Sequence, residues 1–158
     1  MLHQLIDSFA GDYGFLSNFF PCLVGHAGNK YPTAEHAFQC AKTVVPEERY
    51  RIANAITPGI AKRLGGPKPR GIATLRPDWE AIKVPVMTEI LRDKFTRHIR
   101  LREELLLTQS AMLIEGNTWC DNIWGDCRCA KCRRIPGENL LGRILMRLRE
   151  ELKNGPAS

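Results

Sequence analysis

The sequence predicts an α+β fold: a compact, helix-rich single domain with a small N-terminal β-sheet. Three observations carry that expectation. The 158 residues are 44% hydrophobic and 25% charged, enough for one core, with no repeat, low-complexity tract or linker to divide them. Short apolar runs punctuated by turn residues cluster in the first quarter of the chain. Beyond them apolar residues recur at the helical period, most cleanly at Leu140, Leu141, Ile144, Leu145, Leu148 and Leu152. We place the domain at residues 1–153, with 154–158 as a flexible tail.

Taken in order, Leu5, Ile6 and Phe9, then Phe15 to Phe20, then Cys22-Leu23-Val24 before an Ala27-Gly28-Asn29 turn read as short strands. Thr33 is placed to cap a helix in which Ala34, Ala37, Phe38 and Ala41 fall at i, i+3, i+4, i+7 and form a buried face. Beside it Glu35, Gln39 and Lys42 form a polar stripe, so that a carboxylate, an amide and an ammonium share one surface. Glu47 to Ile56 predicts a second helix, and Thr57-Pro58 starts a third that Gly65 ends. The Gly65 to Gly71 run is irregular. Pro77-Asp78-Trp79 opens a helix expected to be interrupted or kinked at Pro85, with Met87, Ile90, Leu91 and Phe95 on one later face. Leu101 to Leu107 continues helical, Ala111 to Ile114 has strand length, and the Leu140 helix carries much of the core.

The net charge of +6 favours an anionic partner, be it a phosphate-bearing metabolite, a nucleotide or nucleic acid. Residues 1–7 have neither a basic lead nor a long apolar run, and no stretch reaches the roughly 20 apolar residues a membrane span needs. A soluble, cytoplasmic protein is expected, with no membrane partner. In a reducing compartment its six cysteines serve as thiols, metal ligands or catalytic groups rather than structural disulfides.

Several residue sets could carry chemistry. Glu35 lies in the first turn of its helix, where the macrodipole favours a carboxylate whatever its task; Gln39 and Lys42 beside it point to more than a solvated helix start. Asn18, Phe19 and Tyr31 could offer an amide and flat apolar surface to a ring, or simply pack the core. Lys62, Arg63, Lys68 and Arg70 flank a Gly/Pro turn of the kind that holds phosphate, although basic residues around a loop are commonly only solvated. The segment from Asn117 onward concentrates costly side chains. Asp121 sits between Trp119 and Trp124, which can desolvate a carboxylate and stack on a base, and Asp126 competes with it for that role. Cys120, Cys127, Cys129 and Cys132 follow C-x6-C-x-C-x2-C; four thiolates so close could close a structural zinc site, or remain free thiols, or form a redox disulfide. Cys22 and Cys40 read as buried thiols.

Together, Phe15-Leu16-Ser17-Asn18-Phe19-Phe20-Pro21, the Tyr31 to Lys42 segment, Asp121-Asn122-Ile123-Trp124-Gly125 and Asn139 to Met146 resemble the NADAR (YbiA-like) family. Ala61 to Gly65, Arg76 to Trp79 and Lys94-Phe95 extend the likeness over nearly the whole chain. The resemblance implies a helix-rich α+β domain that cleaves N-glycosidic bonds. The bond would lie in a phosphoribosylamino-pyrimidine of riboflavin synthesis, or in ADP-ribose attached to guanine of DNA or RNA. It also implies that Trp79, Gly125 and Asn139 join the substrate-binding residues. The cysteine loop with Arg133-Arg134 departs from the glycine-rich segment many members carry there, which leaves the substrate open.

Cleaving such a bond builds positive charge on the anomeric carbon and negative charge on the departing base. Glu35 is expected to stabilise that cation or activate water, and Asp121 to orient the nucleophile or act as the acid, with the two roles exchangeable. Phe19 and Trp124 would hold the base, and Lys42 and Arg63 the phosphates. In a variant of this chemistry Lys42 is a nucleophile that forms a Schiff base with ring-opened ribose. No cofactor is required for catalysis. Two other classes compete: a non-catalytic sensor of NAD-derived or ADP-ribose-derived nucleotides, and a zinc-dependent nucleic-acid-binding protein. Oligomeric state is not readable from the sequence.

Overall fold

A computed structural model describes residues 4–155. In chain order the elements are strand β1 (Leu5–Ile6), a 3-10 helix (Gly11–Leu16), strands β2 (Val24–His26) and β3 (Asn29–Tyr31), helices α1 (Ala34–Ala41), α2 (Pro46–Ala53), α3 (Pro58–Leu64), α4 (Trp79–Arg97) and α5 (Ile99–Leu107), strands β4 (Met112–Leu113), β5 (Gly116–Asn117) and β6 (Asp126–Cys127), and helix α6 (Leu140–Asn154). The class is α+β and helix-rich, as expected. The strands form three separate two-stranded sheets among the described residues. Two compact units are formed, Asn18–Arg97 and the residues up to Ser17 together with those from His98 onward.

The Asn18–Arg97 unit is organised on α1. Thr33 caps it as expected, its hydroxyl oxygen accepting the His36 amide at 3.2 Å. All eight residues of the helix are buried, because α2, α3, α4 and the β2–β3 hairpin pack around it. The polar stripe accordingly lies largely inside: Glu35 and Gln39 are buried, and Lys42 ends the helix half-buried. Small residues at Ala34, Ala37, Cys40 and Ala41 let the neighbours approach closely, and the hairpin turns at Ala27-Gly28, both with positive φ. His36 is consumed structurally, its Nε2 donating to the Ala55 carbonyl at 3.0 Å and its Nδ1 accepting from the Thr33 hydroxyl at 2.7 Å. Glu48 ties α2 to residue 74, accepting from the Thr43 hydroxyl at 2.6 Å and from the Thr74 amide and hydroxyl at 2.7 Å each. These bonds, that of Thr43 foremost, hold its carboxyl down to about 2.

Helix α4 runs unbroken through Pro85, where an interruption or kink was expected. Pro85 and Ala81, whose carbonyl loses its donor there, both face solvent, while Met87, Ile90, Leu91 and Phe95 bury the next turns. A second correction concerns Phe15 to Phe20. A 3-10 helix and turn replace the expected strand, begun at Gly11 (φ +56°) and closed by Ser17 N donating to the Gly14 carbonyl at 3.0 Å. Phe15 and Leu16 reach the interior by that tight turn rather than by alternation. The expected N-terminal sheet is accordingly only the β2–β3 hairpin, because β1 pairs in parallel with β4.

In the other unit the apolar stripe of α6, Leu141, Ile144, Leu145 and Leu148, is buried against α5 and β4. Each such side chain contributes roughly 1.5–3 kcal/mol of burial. Arg149, on the same face, spends its guanidinium on the Thr108 hydroxyl (2.8 Å) and the Ala111 carbonyl (3.0 Å). The proposed tail 154–158 begins at the last residue of α6, and its residues 156–158 lie outside the described residues.

Candidate functional site

Glu35 owes its position to α1 and to the loop before it. The Asn18 carbonyl accepts the Glu35 amide at 3.0 Å, satisfying a helix-start donor and fixing the loop to the helix. The Glu35 side chain is only 5% exposed, and its Oε1 accepts from Gln39 Nε2 at 2.7 Å, one helical turn along. That bond settles the amide's orientation and leaves Gln39 Oε1 facing Gly65, where a Cβ would lie only 2.1 Å from it. Gly65, expected as a helix terminator, does end α3 and also makes room for Gln39. Asn18 Nδ2 approaches Met87 Sδ at 3.5 Å. Both carbonyl oxygens, Asn18 Oδ1 and Gln39 Oε1, are buried without a hydrogen-bond partner. Buried acceptors are normally paired, and two unpaired ones occur in the residues that bond Glu35, Asn18 through its backbone and Gln39 through its side chain.

Around them the unit offers an aromatic ring and cations. Phe19, the residue after Asn18, is 40% exposed and carries Lys62 Nζ over its ring at 5.8 Å from the centroid. A ring that stays exposed beneath a cation can take a heterocycle on its face and a phosphate beside it. Lys42 Nζ stands 5.5 Å from the Phe38 centroid. Arg63 is exposed on α3. Two other expected binders lie inside: Tyr31 is buried in β3, and Trp79 is packed with its centroid 5.0 Å from that of Phe38. Both serve the core.

Lys94 was visible in the sequence only as part of the family likeness. It is fully buried, with Nζ 5.2 Å from the Phe95 centroid and 5.5 Å from that of Phe20. Burial pulls its ammonium down to about 8, with nearby Cys22 opposing the shift. The available signal was periodicity, since Lys94 stands at i+4 from Ile90 and i+3 from Leu91, on the buried stripe of α4.

The second unit holds the Asp121 segment. Asn117 is its anchor, donating to the Asp121 carbonyl at 2.7 Å and accepting the Asp121 amide at 3.2 Å. Asp121 Oδ1 accepts the Ile123 and Trp124 amides at 3.1 and 2.9 Å, so the carboxylate holds the turn that presents Trp124. Asp126 accepts the Gly137 amide at 2.8 Å. A Cβ on Gly125 would lie 2.2 Å from the Glu115 carbonyl, which explains glycine there. Asn139 precedes α6 with φ +49°; it accepts the Glu115 amide at 3.0 Å and donates to the Leu113 carbonyl at 2.8 Å. Its side chain joins the start of α6 to the β4–β5 segment. The Sγ atoms of Cys120, Cys127, Cys129 and Cys132 all lie within 4.8 Å of one another, a cluster that could bind a metal ion.

The NADAR domain model matches residues 7–153. The chain belongs to the NADAR family. It is 39% identical over 145 residues to N-glycosidase YbiA of Escherichia coli (strain K12), an alignment covering 92% of this chain and 85% of that protein. N-glycosidase Npun_R5314 of Nostoc punctiforme is 37% identical, with 90% and 87% covered. Riboflavin biosynthesis protein VVA0006 of Vibrio vulnificus is 35% identical over 90% of this chain but only 36% of its own length. The NMR structure of E. coli YbiA superposes with a TM-score of 0.80 at 37% identity, covering 98% of this chain and 88% of that one. The α+β architecture described above is thus that of a NADAR structure. No helix among the described residues is long and apolar enough to cross a membrane.

Proposed function

We propose that this NADAR protein hydrolyses the N-glycosidic bond between a phosphate-bearing ribose and a nitrogen heterocycle. The observation that carries the reading is the buried Glu35, bonded through its carboxylate to Gln39 and through its backbone amide to Asn18, two residues whose side-chain oxygens are acceptors without partners. Ribose hydroxyls and an attacking water are donors of the kind those two side-chain oxygens accept. Relatives named N-glycosidases, matched over most of their length, support the same reaction class.

In the proposed reaction the bond from the anomeric carbon to nitrogen breaks and its electron pair leaves with the base. Glu35 stabilises the oxocarbenium-like cation and takes a proton from the incoming water, whose oxygen forms the new bond at that carbon. The departing nitrogen gains a proton, so that one water is consumed per bond. Gln39 holds the carboxylate in place, Phe19 stacks on the base, and Lys42, Lys62 and Arg63 meet the phosphates. Riboflavin biosynthesis in the name of a relative favours a phosphoribosylamino-pyrimidine as substrate. The net charge of +6 equally suits ADP-ribosyl-guanine in nucleic acid.

The test presents both substrates side by side and identifies products by mass spectrometry, with Glu35→Gln as control. Free base plus ribose phosphate, or guanine-bearing nucleic acid plus ADP-ribose, supports the proposal and names the substrate. Tight binding of either without product over long incubation replaces it with the sensor reading. A Glu35→Gln protein that turns over normally removes Glu35 from the mechanism.

A further inference from the structure

We propose that Cys120, Cys127, Cys129 and Cys132 bind one structural zinc ion that serves as the core of the loop between β5 and α6. The pattern C-x6-C-x-C-x2-C brings four sulfurs within 4.8 Å of one another, with Cys120 and Cys129 Sγ at 3.5 Å. Tetrahedral zinc with Zn–S bonds of ~2.3 Å requires sulfurs about 3.8 Å apart, so the cluster needs only a small adjustment to close on the ion. Four protein ligands leave no open position, which makes the site structural rather than catalytic.

Three independent features of the loop point the same way. Cys127, on β6 and paired with Asn117, is buried, and its Sγ accepts the amides of Cys120 at 3.2 Å and Cys129 at 3.5 Å. Amides directed at a sulfur stabilise the thiolate a metal requires. The loop has little apolar core of its own, since Trp119 (61% exposed), Ile123 and Ile135 all face solvent. A segment so built needs another organising element, and a metal is the usual one. Finally, residues 118–139 hold four cations, Arg128, Lys131, Arg133 and Arg134, against the three carboxylates Asp121, Asp126 and Glu138. That positive excess offsets part of the negative charge of a zinc tetrathiolate. Soft sulfur in a tetrahedral set selects zinc or iron, and we assign zinc.

The test uses the full chain purified under reducing conditions, without chelator, from zinc-supplemented cells. Elemental analysis is expected to find one zinc per chain. Titration with a mercurial should release it as four thiols react, and cobalt replacement should give a thiolate-to-cobalt charge-transfer band. Cys127→Ser and Cys132→Ser lose the metal, whereas Cys22→Ser keeps it. The mercurial and cobalt measurements need no variant to fold. A zinc-free chain that takes up no cobalt overturns the proposal, as does iron at the site or zinc retained in the Cys127→Ser, Cys132→Ser double variant. Metal content is read without any substrate, so this outcome stands apart from the proposed reaction.

Discussion

At the scale of single residues, burial sets Glu35 and Glu48 apart from the other acidic groups among the described residues, and Glu48 is spent on tying α2 to residue 74. Helix-start glutamates are ordinarily solvated, yet Glu35 is buried and bonds to Gln39, whose side-chain oxygen is an unpaired acceptor. Replacing it by Gln keeps its size, so unfolding midpoints should stay close to wild type while kcat falls by about 10²- to 10⁴-fold, the usual worth of a general acid or base. Asp121 admits a sharper contrast. Asp121→Asn keeps the oxygen that accepts the Ile123 and Trp124 amides, whereas Asp121→Ala removes it. If Asp121 only holds the turn, the Asn variant retains turnover and the Ala variant loses it; if the charge acts on substrate, both lose it. Lys94 makes a prediction in pH. With its folded value near 8 against 10.5 for the free side chain, the unfolded chain binds an extra proton between those values. Its unfavourable contribution to stability is therefore complete below about 8 and fades as pH rises toward 10.5. Urea unfolding of wild type and Lys94→Met at pH 7 and pH 10 should show wild type gaining on the variant at the higher pH; an unchanged difference would contradict the shift. Lys42 and Glu35 were legible because they share a periodic helix face, but whether that face was inside depended on α2, α3 and α4, which no local pattern reveals.

At the scale of elements, the helices were legible and the short strands only partly so. Thr33 and Thr57 each accept the amide three residues on, as a cap must, and α6 buries Leu141, Ile144, Leu145 and Leu148 of the expected stripe, with Leu140 and Leu152 half-buried at its ends. These signals are local. The β1–β4 pairing joins residues more than a hundred positions apart, and two-residue strands have no periodicity to read. Glycine packing was hidden for the same reason. Gly142 lies in α6 where a Cβ would sit 2.1 Å from the Leu113 carbonyl, and the Asn139 side chain packs beside it. In an exposed helix Gly→Ala gains about 1 kcal/mol. Here the overlap involves backbone and should win, giving a net loss of roughly 1–3 kcal/mol. Gly142→Ala is thus expected to lower the urea midpoint, and a raised midpoint would show that α6 can move off β4 freely.

At the scale of the whole molecule, family membership and net charge constrain function in different ways. The family match spans residues 7–153 and so covers both compact units, which is why the likeness was legible from scattered motifs before any geometry. The cysteine loop was the part it could not explain, because the motifs that carry the likeness stop at Gly125 and resume at Asn139. Charge acts over longer distances and without regard to motif. An excess of six positive charges on 158 residues should draw a phosphate-bearing substrate toward the protein before any specific contact forms. Such steering is screened as the Debye length shrinks from about 30 Å at ~0.01 M salt to about 8 Å at ~0.15 M. The expected outcome is a roughly tenfold fall in kcat/KM across that range with kcat nearly constant, since steering alters encounter and not chemistry. A nucleic-acid substrate adds counterion release, and its kcat/KM should fall several times more steeply than that of a small ribose phosphate. The salt slope measured on both substrates therefore separates the two classes even where both are cleaved, because only a polyanion surrenders a condensed ion atmosphere on binding.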